Sequence, residues 1–474
     1  MIEKYYSGVI EQIYNRIGKE TRNIVMANYS NDFSIENLEV IRRYQSNEDN
    51  VFFAYSEFSY NTLVGAYEPF LDIICNMHRR FIGGSFDDFQ KECGVYYLHR
   101  QVLNNYYETG ECFREETVLL NEVAYEQRRM TMAIADMLKK LSEVKPLMIV
   151  INRFQMASKS SIETIKYLID NPCANIGIVL GVNAIVKGTD STVEVWDRIV
   201  ESLEDRSAIY YIGSAGPLKN NVKTTNDDEL YITMNFEQSI QEASNIMEFL
   251  DFEQARRGCR IIEHKLKFED AWIDEKSLRR FYMVYARTSV LLGEMSKAIE
   301  LTNEYKALIP ENDSEHYLSL YYFMKGTCYM YQGKLEKAGN SAKSAYDYAV
   351  LAEDDTLIFK AELLSVMIKM SGWYNIFFCV QDIPVSDEII EKLIKHGYRN
   401  HLAHIYIYAY DNSRDVVKQS FYDESLLKHF TKGLELAKEI GNEQLVYDAY
   451  QKTIMLASTS GLNEIAFLYV IRTY

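Results

Sequence analysis

Glycine and proline are scarce, 22 and 6 among 474 residues. A chain with so few breakers has little material for tight turns, so most of it is expected to be helical. Cysteine is thinly spread over positions 75, 93, 112, 173, 259, 328 and 379, never closer than eighteen residues. That spacing suits neither a disulfide framework nor a zinc ribbon, and a reducing cytoplasm is its simplest setting. No apolar run is long enough to span a bilayer, so no membrane association is expected. Met1-Ile2-Glu3-Lys4-Tyr5-Tyr6 opens an amphipathic helix rather than a signal peptide. Positive charge is short as well: 51 Lys and Arg stand against 68 Asp and Glu, a net charge of -17. The arginine pairs 42–43, 79–80, 128–129, 256–257 and 279–280 sit apart on helical patterns, mostly flanked by acids. With no basic patch to override the total, direct binding of a nucleic acid is not expected.

What is present starts with a buried strand. Pro146 is followed by Leu147-Met148-Ile149-Val150-Ile151, then by Asn152-Arg153 and a helical pattern from Ser161 to Ile169. A continuous apolar run feeding a helix reads as a strand of a parallel sheet. Further short apolar strands fall at residues 23–27, 51–55, 176–181 and 208–212, separated by helical patterns. The alternation predicts an α/β domain with a doubly wound parallel sheet over residues 1–225. After the first strand, the polar turn Asn28 to Asp32 leads into a helix from Ser34, the layout of a phosphate-binding loop. Laid on G-x-x-x-x-G-K-[ST], the window places Ala27 and Asp32 at the glycines, Phe33 at the lysine and Ser34 at the hydroxyl. Only the hydroxyl survives. A carboxylate and an apolar ring stand where bare backbone and a cation should grip phosphate. At the end of the Leu147 strand, where nucleotide hydrolases carry acids for magnesium, Asn152 and Arg153 offer an amide and a repelling guanidinium. The degenerate pocket, residues Ala27, Asp32, Phe33, Ser34, Asn152 and Arg153, is therefore expected to have lost hydrolysis.

The order of degenerate loop, Val51 strand, Tyr67-Glu68-Pro69-Phe70-Leu71, Pro146 strand with Gln155 and Ser158, and Ile176 strand resembles the ATPase module of the signal-transduction ATPases with numerous domains. It is most similar to the branch of large bacterial activators typified by the maltose-regulon activator. In that family the Pro146-type strand continues as two acids, a hydrophobic residue, Gln, an aromatic residue, Ala and Asp. Gln155 and Ala157 match, whereas Asn152, Arg153 and Ser158 depart. The resemblance implies a nucleotide-driven switch, and the departures remove the charge such a switch works with.

Beyond the acidic connection at residues 223–229 a period replaces the alternation. Gly293 and Gly333 lie forty residues apart between helical patterns. Gly372, the Asp411-Asn412 turn and Gly461 continue the series less regularly, with a loop insertion expected near Gln419 to Glu424. Gly326, Tyr329, Gly333, Ala338 and Ala345 in one unit, and Ala286, Gly293, Ala298 and Pro310 in another, occupy positions that resemble tetratricopeptide repeats. Small residues at a crossing let antiparallel helices approach, and glycine takes the turn. Residues 226–474 are thus expected to form an all-α repeat solenoid, whose concave face would hold a protein or peptide. Tyrosine is abundant, 37 in all. Tyr321, Tyr322 and Tyr329 are candidates for partner binding, against the alternative that they pack between helices.

Other constellations are weaker. His401 and His404 share a helix face near His396, without a carboxylate or cysteine at metal-ligand spacing. Cys75 near His78 has the ordinary reading of a buried thiol. Gly181-Val182-Asn183 and the 213–216 stretch follow strands, where ligand loops or plain turns occur. Tyr67-Glu68-Pro69-Phe70 marks the start or kink of a helix. The expected protein is non-catalytic, a regulator or scaffold that binds a partner through its repeats, with homo-oligomers possible. The competing expectation is an ATP- or ADP-binding switch with a divergent pocket and at most weak hydrolysis; a third is a first half serving only as a packing platform. Family members that activate transcription carry a helix-turn-helix after the repeats, so a chain ending at Tyr474 has either lost that module or is a piece of a longer regulator.

Overall fold

The computed structural model describes residues 2–29, 38–46, 50–59, 63–114, 116, 119–183, 186–189, 193–212, 223–225, 235–268, 273–312, 314–374, 387–408, 424–459 and 461–473. The chain forms two compact units. One comprises Met1–Arg114 and Glu126–Ile273, the other Glu115–Tyr125 and Asp274–Tyr474. The division thus falls at residue 273, later than the expected 225, and a short piece from the middle of the first stretch belongs with the second.

The first unit is built on strands β1 (Ile24–Tyr29), β2 (Phe52–Glu57), β3 (Leu147–Asn152), β4 (Ile176–Asn183) and, after the short β5 (Val186–Thr189), β6 (Ile209–Ile212). These form a parallel sheet in the order β2-β3-β4-β1-β6, while β5 pairs separately with β7 (Lys223–Thr225). Helices α1 (Ile2–Arg16) and α2 (Glu39–Ser46) help cover the face made by Val25, Phe53, Val150 and Val179. In α1 the apolar residues Tyr6, Ile10 and Ile13 recur on one side, and Gly18 ends the helix at φ +78°. β4 meets that side with Gly177, Val179 and Gly181. A Cβ on Gly177 would come within 3.0 Å of Ile13 and Ile17, so glycine there lets the helix sit close. The alternate residues Leu147, Ile149 and Ile151 of β3 point to the other face and are equally buried.

Between β2 and β3 lie α3 (Phe70–Met77), a π-helical turn over His78–Ile82, α4 (Phe86–Glu92), α5 (Tyr97–Thr109) and α6 (Val123–Val144). The Glu68-Pro69 peptide is cis, and α3 begins directly after it, as expected for this proline. α7 (Lys159–Asp170) follows β3 and packs on α8 (Val193–Glu204). α9 (Phe236–Glu248) and α10 (Phe252–Phe268) belong here because their polar groups are committed here. Asp251 accepts the Ser160 amide at 3.0 Å, Gln254 donates to the Val64 carbonyl at 2.9 Å, and Gly258 leaves room for Leu63.

The second unit is all helical among its described residues. It runs through α11 (Glu275–Leu291), α12 (Met295–Ala307), α13 (Ser314–Tyr331), α14 (Leu335–Leu351), α15 (Asp355–Tyr374), α16 (Asp387–Lys395), α17 (Arg399–Tyr408), α18 (Glu424–Ile440), α19 (Glu443–Thr459) and α20 (Asn463–Thr473), each packed on the next. Gly293, Gly333 and Gly461 turn between helices with φ of +78°, +71° and +75°, as their spacing predicted. Gly372 does not: it lies within α15, and the chain turns instead at Gly397 and Gly441. Asp411, Asn412 and residues 419–423 lie outside the described residues. Ala338, Ala342, Ala345 and Ala349 make a buried stripe along α14, and Gly326 faces it, with Leu364 already 3.0 Å from where a Cβ would stand.

Candidate functional site

The carboxyl ends of parallel strands are where an α/β sheet presents its ligands. Ala27 is buried in the middle of β1, in register with Gly181 of β4. Asp32, Phe33 and Ser34 lie outside the described residues. Asn152 ends β3, fully buried, and its Oδ1 accepts a hydrogen bond from the Tyr29 hydroxyl at 2.7 Å. Gly181 makes that bond possible: a Cβ there would stand 2.8 Å from Asn152 Oδ1 and 2.2 Å from the Tyr6 hydroxyl. Arg153 follows in the left-handed region at φ +55°, and its Nη1 lies 3.2 Å from Glu57 Oε1 and 3.3 Å from the Phe58 carbonyl. Tyr55 donates to the same Glu57. Amide and guanidinium are thus both engaged by protein groups. Ser158 caps α7 by accepting from the Ser161 amide, and Gln155 accepts from the Asn183 amide at 3.4 Å. Asn183 ends β4, so 181–183 is strand rather than ligand loop; residues 213–216 lie outside the described residues. One group stands apart. Asn28 of β1 is fully buried and its side-chain amide has no hydrogen-bond partner among the described residues.

The candidate tyrosines divide. Tyr321 is 2% exposed, with its hydroxyl 3.3 Å from Asn303 and 2.9 Å from Lys325, so it packs between helices and does not face a partner. Tyr322 is half-buried, stacked on Tyr348 at 5.6 Å. Tyr329 is half-buried against the cluster around Met330 and Ala338. A large aromatic ring at a helix crossing fills space there before it serves recognition.

The histidines do more than their spacing suggested. His396 stacks on Phe359, but His401 and His404, near the start of α17, each face a glutamate from residues 115–125. Glu116 Oε1 lies 2.6 Å from both the backbone amide and Nδ1 of His401, and Oε2 is 3.4 Å from the Asn400 amide. Placed against the first turn of α17, this carboxylate satisfies amides that a helix start leaves open. Glu122 Oε1 accepts from Asn442 at 2.9 Å and lies 2.9 Å from His404 Nε2, while Oε2 accepts from Asn400 at 3.0 Å. Asn442 also donates to the Asn400 side chain at 2.7 Å and accepts from the Leu445 amide at 2.9 Å, capping α19. Both glutamates are 1% exposed or less. Burial would raise the Glu122 carboxyl, but His404 and the two asparagines outweigh it and hold it at about 2. Nearby, Tyr331 accepts the Leu120 amide at 3.2 Å and Tyr125 donates to Glu443 at 2.7 Å. Among the described residues, no group of three His, Cys, Asp or Glu is arranged to hold a metal. The carboxylates missing from the neighbourhood of His401 and His404 sit more than 280 residues earlier, beyond any local motif.

Two groups in the first unit complete the picture. Cys75 is buried, and burial pushes its thiol up to about 11, the state of an unreactive core cysteine. Glu242 is raised to about 7 by burial and by the charges of Glu68 and Asp72. Among the described residues no helix is long and apolar enough to cross a membrane.

No family model and no curated protein matches the sequence. Among solved structures the chain is similar to a Rap protein complexed with competence and sporulation factor, at 12% identity and a TM-score of 0.35 over 85% of this chain and 96% of that one. It is also similar to a signal-transduction ATPase with numerous domains carrying a tetratricopeptide repeat sensor, from Pyrococcus horikoshii. There the identity is 12% and the TM-score 0.43, over 98% of this chain and 81% of that one.

Proposed function

We propose that this protein is a non-catalytic regulator or scaffold, working in a reducing cytoplasm, whose helical repeats bind a protein or peptide and whose sheet unit does not turn over nucleotide. The observation that carries the second half is at the ends of β2 and β3. Asn152 is buried under Tyr29 and Arg153 is paired with Glu57, so the position that would hold magnesium carries an amide and a cation. For the first half, the support is the stack of paired helices, an architecture that presents extended surfaces to peptides and partner helices. A role in transcription regulation rests on the resemblance to the activator family alone.

Titration of the purified chain with ATP and magnesium, followed by heat and by phosphate release, tests the catalytic half. The expected result is neither heat nor turnover up to about 1 mM nucleotide, the weak end of measurable affinity. Micromolar binding that disappears with Ser34→Ala, or turnover that disappears with Arg153→Ala, would overturn it. Tagged full-length chain recovered from its own cytoplasm tests the other half, with a stoichiometric protein or peptide expected. A second reading, a switch that binds nucleotide without hydrolysing it, is favoured by Asn28. A buried amide with open hydrogen-bonding capacity near the carboxyl end of β1 suits a polar ligand or an ordered water.

A further inference from the structure

The repeats hold an acidic segment already. Among the described residues of 115–125 the two glutamates are the deepest: Glu116 is 0% exposed and Glu122 1%. Among the described residues, side chains that grip them come from the repeats, Asn400, His401 and His404 from α17 and Asn442 from the cap of α19. Ahead of α6 the described residues of the segment form a 3-10 turn over Leu120–Glu122, and Leu119 is buried. Recognition therefore runs through two carboxylates six residues apart in sequence, each met by donors of fixed geometry. A segment meant only to fill space would be held more simply by apolar residues, since desolvating charged groups is costly and replacement by packed hydrophobes is often neutral or stabilising. Charge-assisted bonds instead confer specificity for a carboxylate and can be exchanged for those of another.

We propose that the pocket of Asn400, His401, His404 and Asn442 is a recognition site for an acidic peptide of a partner protein, and that Glu116 and Glu122 occupy it as in-chain stand-ins which that peptide displaces. The proposal rests on the partner-binding reading and narrows it to a site and a ligand chemistry. The partner segment carries two carboxylates at the spacing of Glu116 and Glu122, one to cap α17 and one to meet His404. Tyr331, which holds the Leu120 amide, supplies a backbone contact that does not depend on side-chain identity.

The test uses a fluorescein-labelled synthetic peptide of residues 113–125 and the full chain, read by anisotropy. In the Glu116→Gln/Glu122→Gln chain the internal segment keeps its shape and loses its charge. That variant is expected to bind the peptide at least about ten-fold more tightly than the unaltered chain does. Adding His404→Gln, or using a peptide with glutamine at both glutamate positions, should weaken binding by about ten-fold or more. A double variant that melts like the unaltered chain yet ignores the peptide to about 1 mM overturns the proposal, as does binding indifferent to His404→Gln. Should the double variant not fold, hydrogen exchange of the unaltered chain decides. Excess peptide should speed exchange at the amides of residues 119–122 by about ten-fold, and unchanged exchange overturns the displacement. If the peptide is ignored while the full chain still recovers a partner, this inference falls and partner binding stands; if both fail, both fall.

Discussion

At the carboxyl end of β3, Asn152 sits buried beneath the Tyr29 hydroxyl and Arg153 reaches out to a half-buried Glu57. Around α17, by contrast, Glu116 and Glu122 lie buried inside the second unit, each against a histidine. Both places take polar groups out of water, a step that costs stability unless the groups are bonded. At the end of β3 the requirement is met by an amide, which needs only hydrogen bonds. The repeat unit meets it by supplying donors for a full negative charge. The difference is between an amide held by a hydroxyl and carboxylates held by histidines and asparagines.

The sharpest way to break this comparison is Glu122→Ala. Removing the carboxylate leaves His404, Asn400 and Asn442 without their shared acceptor, and a cost of about 3–5 kcal/mol to the second unit is expected in urea denaturation, the range for breaking a buried pair. A loss below about 1 kcal/mol would place Glu122 among surface pairs and end the contrast. The same group sets an acid limit. Its carboxyl is held at about 2 against an ordinary value of 4.5, so the stability it contributes is complete above pH 4.5 and disappears as pH falls toward 2. Acid titration of the melting temperature should show that loss in the unaltered chain, and less of it in Glu122→Gln.

In the sheet unit, Gly181→Ala is the next largest change. Its Cβ would stand 2.2 Å from the Tyr6 hydroxyl and 2.8 Å from Asn152 Oδ1, so the Tyr29–Asn152 bond must shift. Overpacking of this kind costs about 1–3 kcal/mol, measured as a lower denaturation midpoint, and an unchanged midpoint would show that the Asn152 end of β3 is slack. Glu242 sharpens the comparison from the opposite side, as a half-buried carboxylate acted on by other carboxylates. The fold raises it from 4.5 to about 7, so the folded state binds more protons than the unfolded one between those values and stability falls as pH rises through that window. Glu242→Gln should therefore stabilise by about 1–2 kcal/mol at pH 8 and by nothing at pH 4.5, which thermal melts at the two pH values will show. Smallest is Tyr322→Ala. Losing its stack on Tyr348 should cost about 1 kcal/mol or less, and a larger drop would mean that this tyrosine is core rather than surface.

The layout of the chain was legible in its residues to different depths. Apolar runs at 147–151 and 176–181 became β3 and β4 because a strand buried on both faces must be apolar along its length. Gly293 and Gly333 announced their turns because a left-handed backbone between helices favours glycine. Gly372 misled for the same reason in reverse, since glycine is also tolerated inside a helix where nothing requires a turn. The division between the units escaped because α9 and α10 carry the same helical pattern whichever unit they pack on. Tyr321 looked like a recognition residue because a buried tyrosine and an exposed one are the same letter, and only burial separates them.

The residues alone determined that no acid stands at Asn152 or Arg153, since side-chain identity does not depend on the fold. They also determined the helical pairing of the second unit, because periodicity and turn chemistry act over a few residues. What became of those side chains was decided in three dimensions: that Tyr29 covers Asn152, that Glu57 meets Arg153, and that Glu116 and Glu122 meet His401 and His404 across more than 280 residues. A hydrogen bond depends on separation in space, and spacing along the chain carries no record of which distant donor will be within 3 Å of a carboxylate.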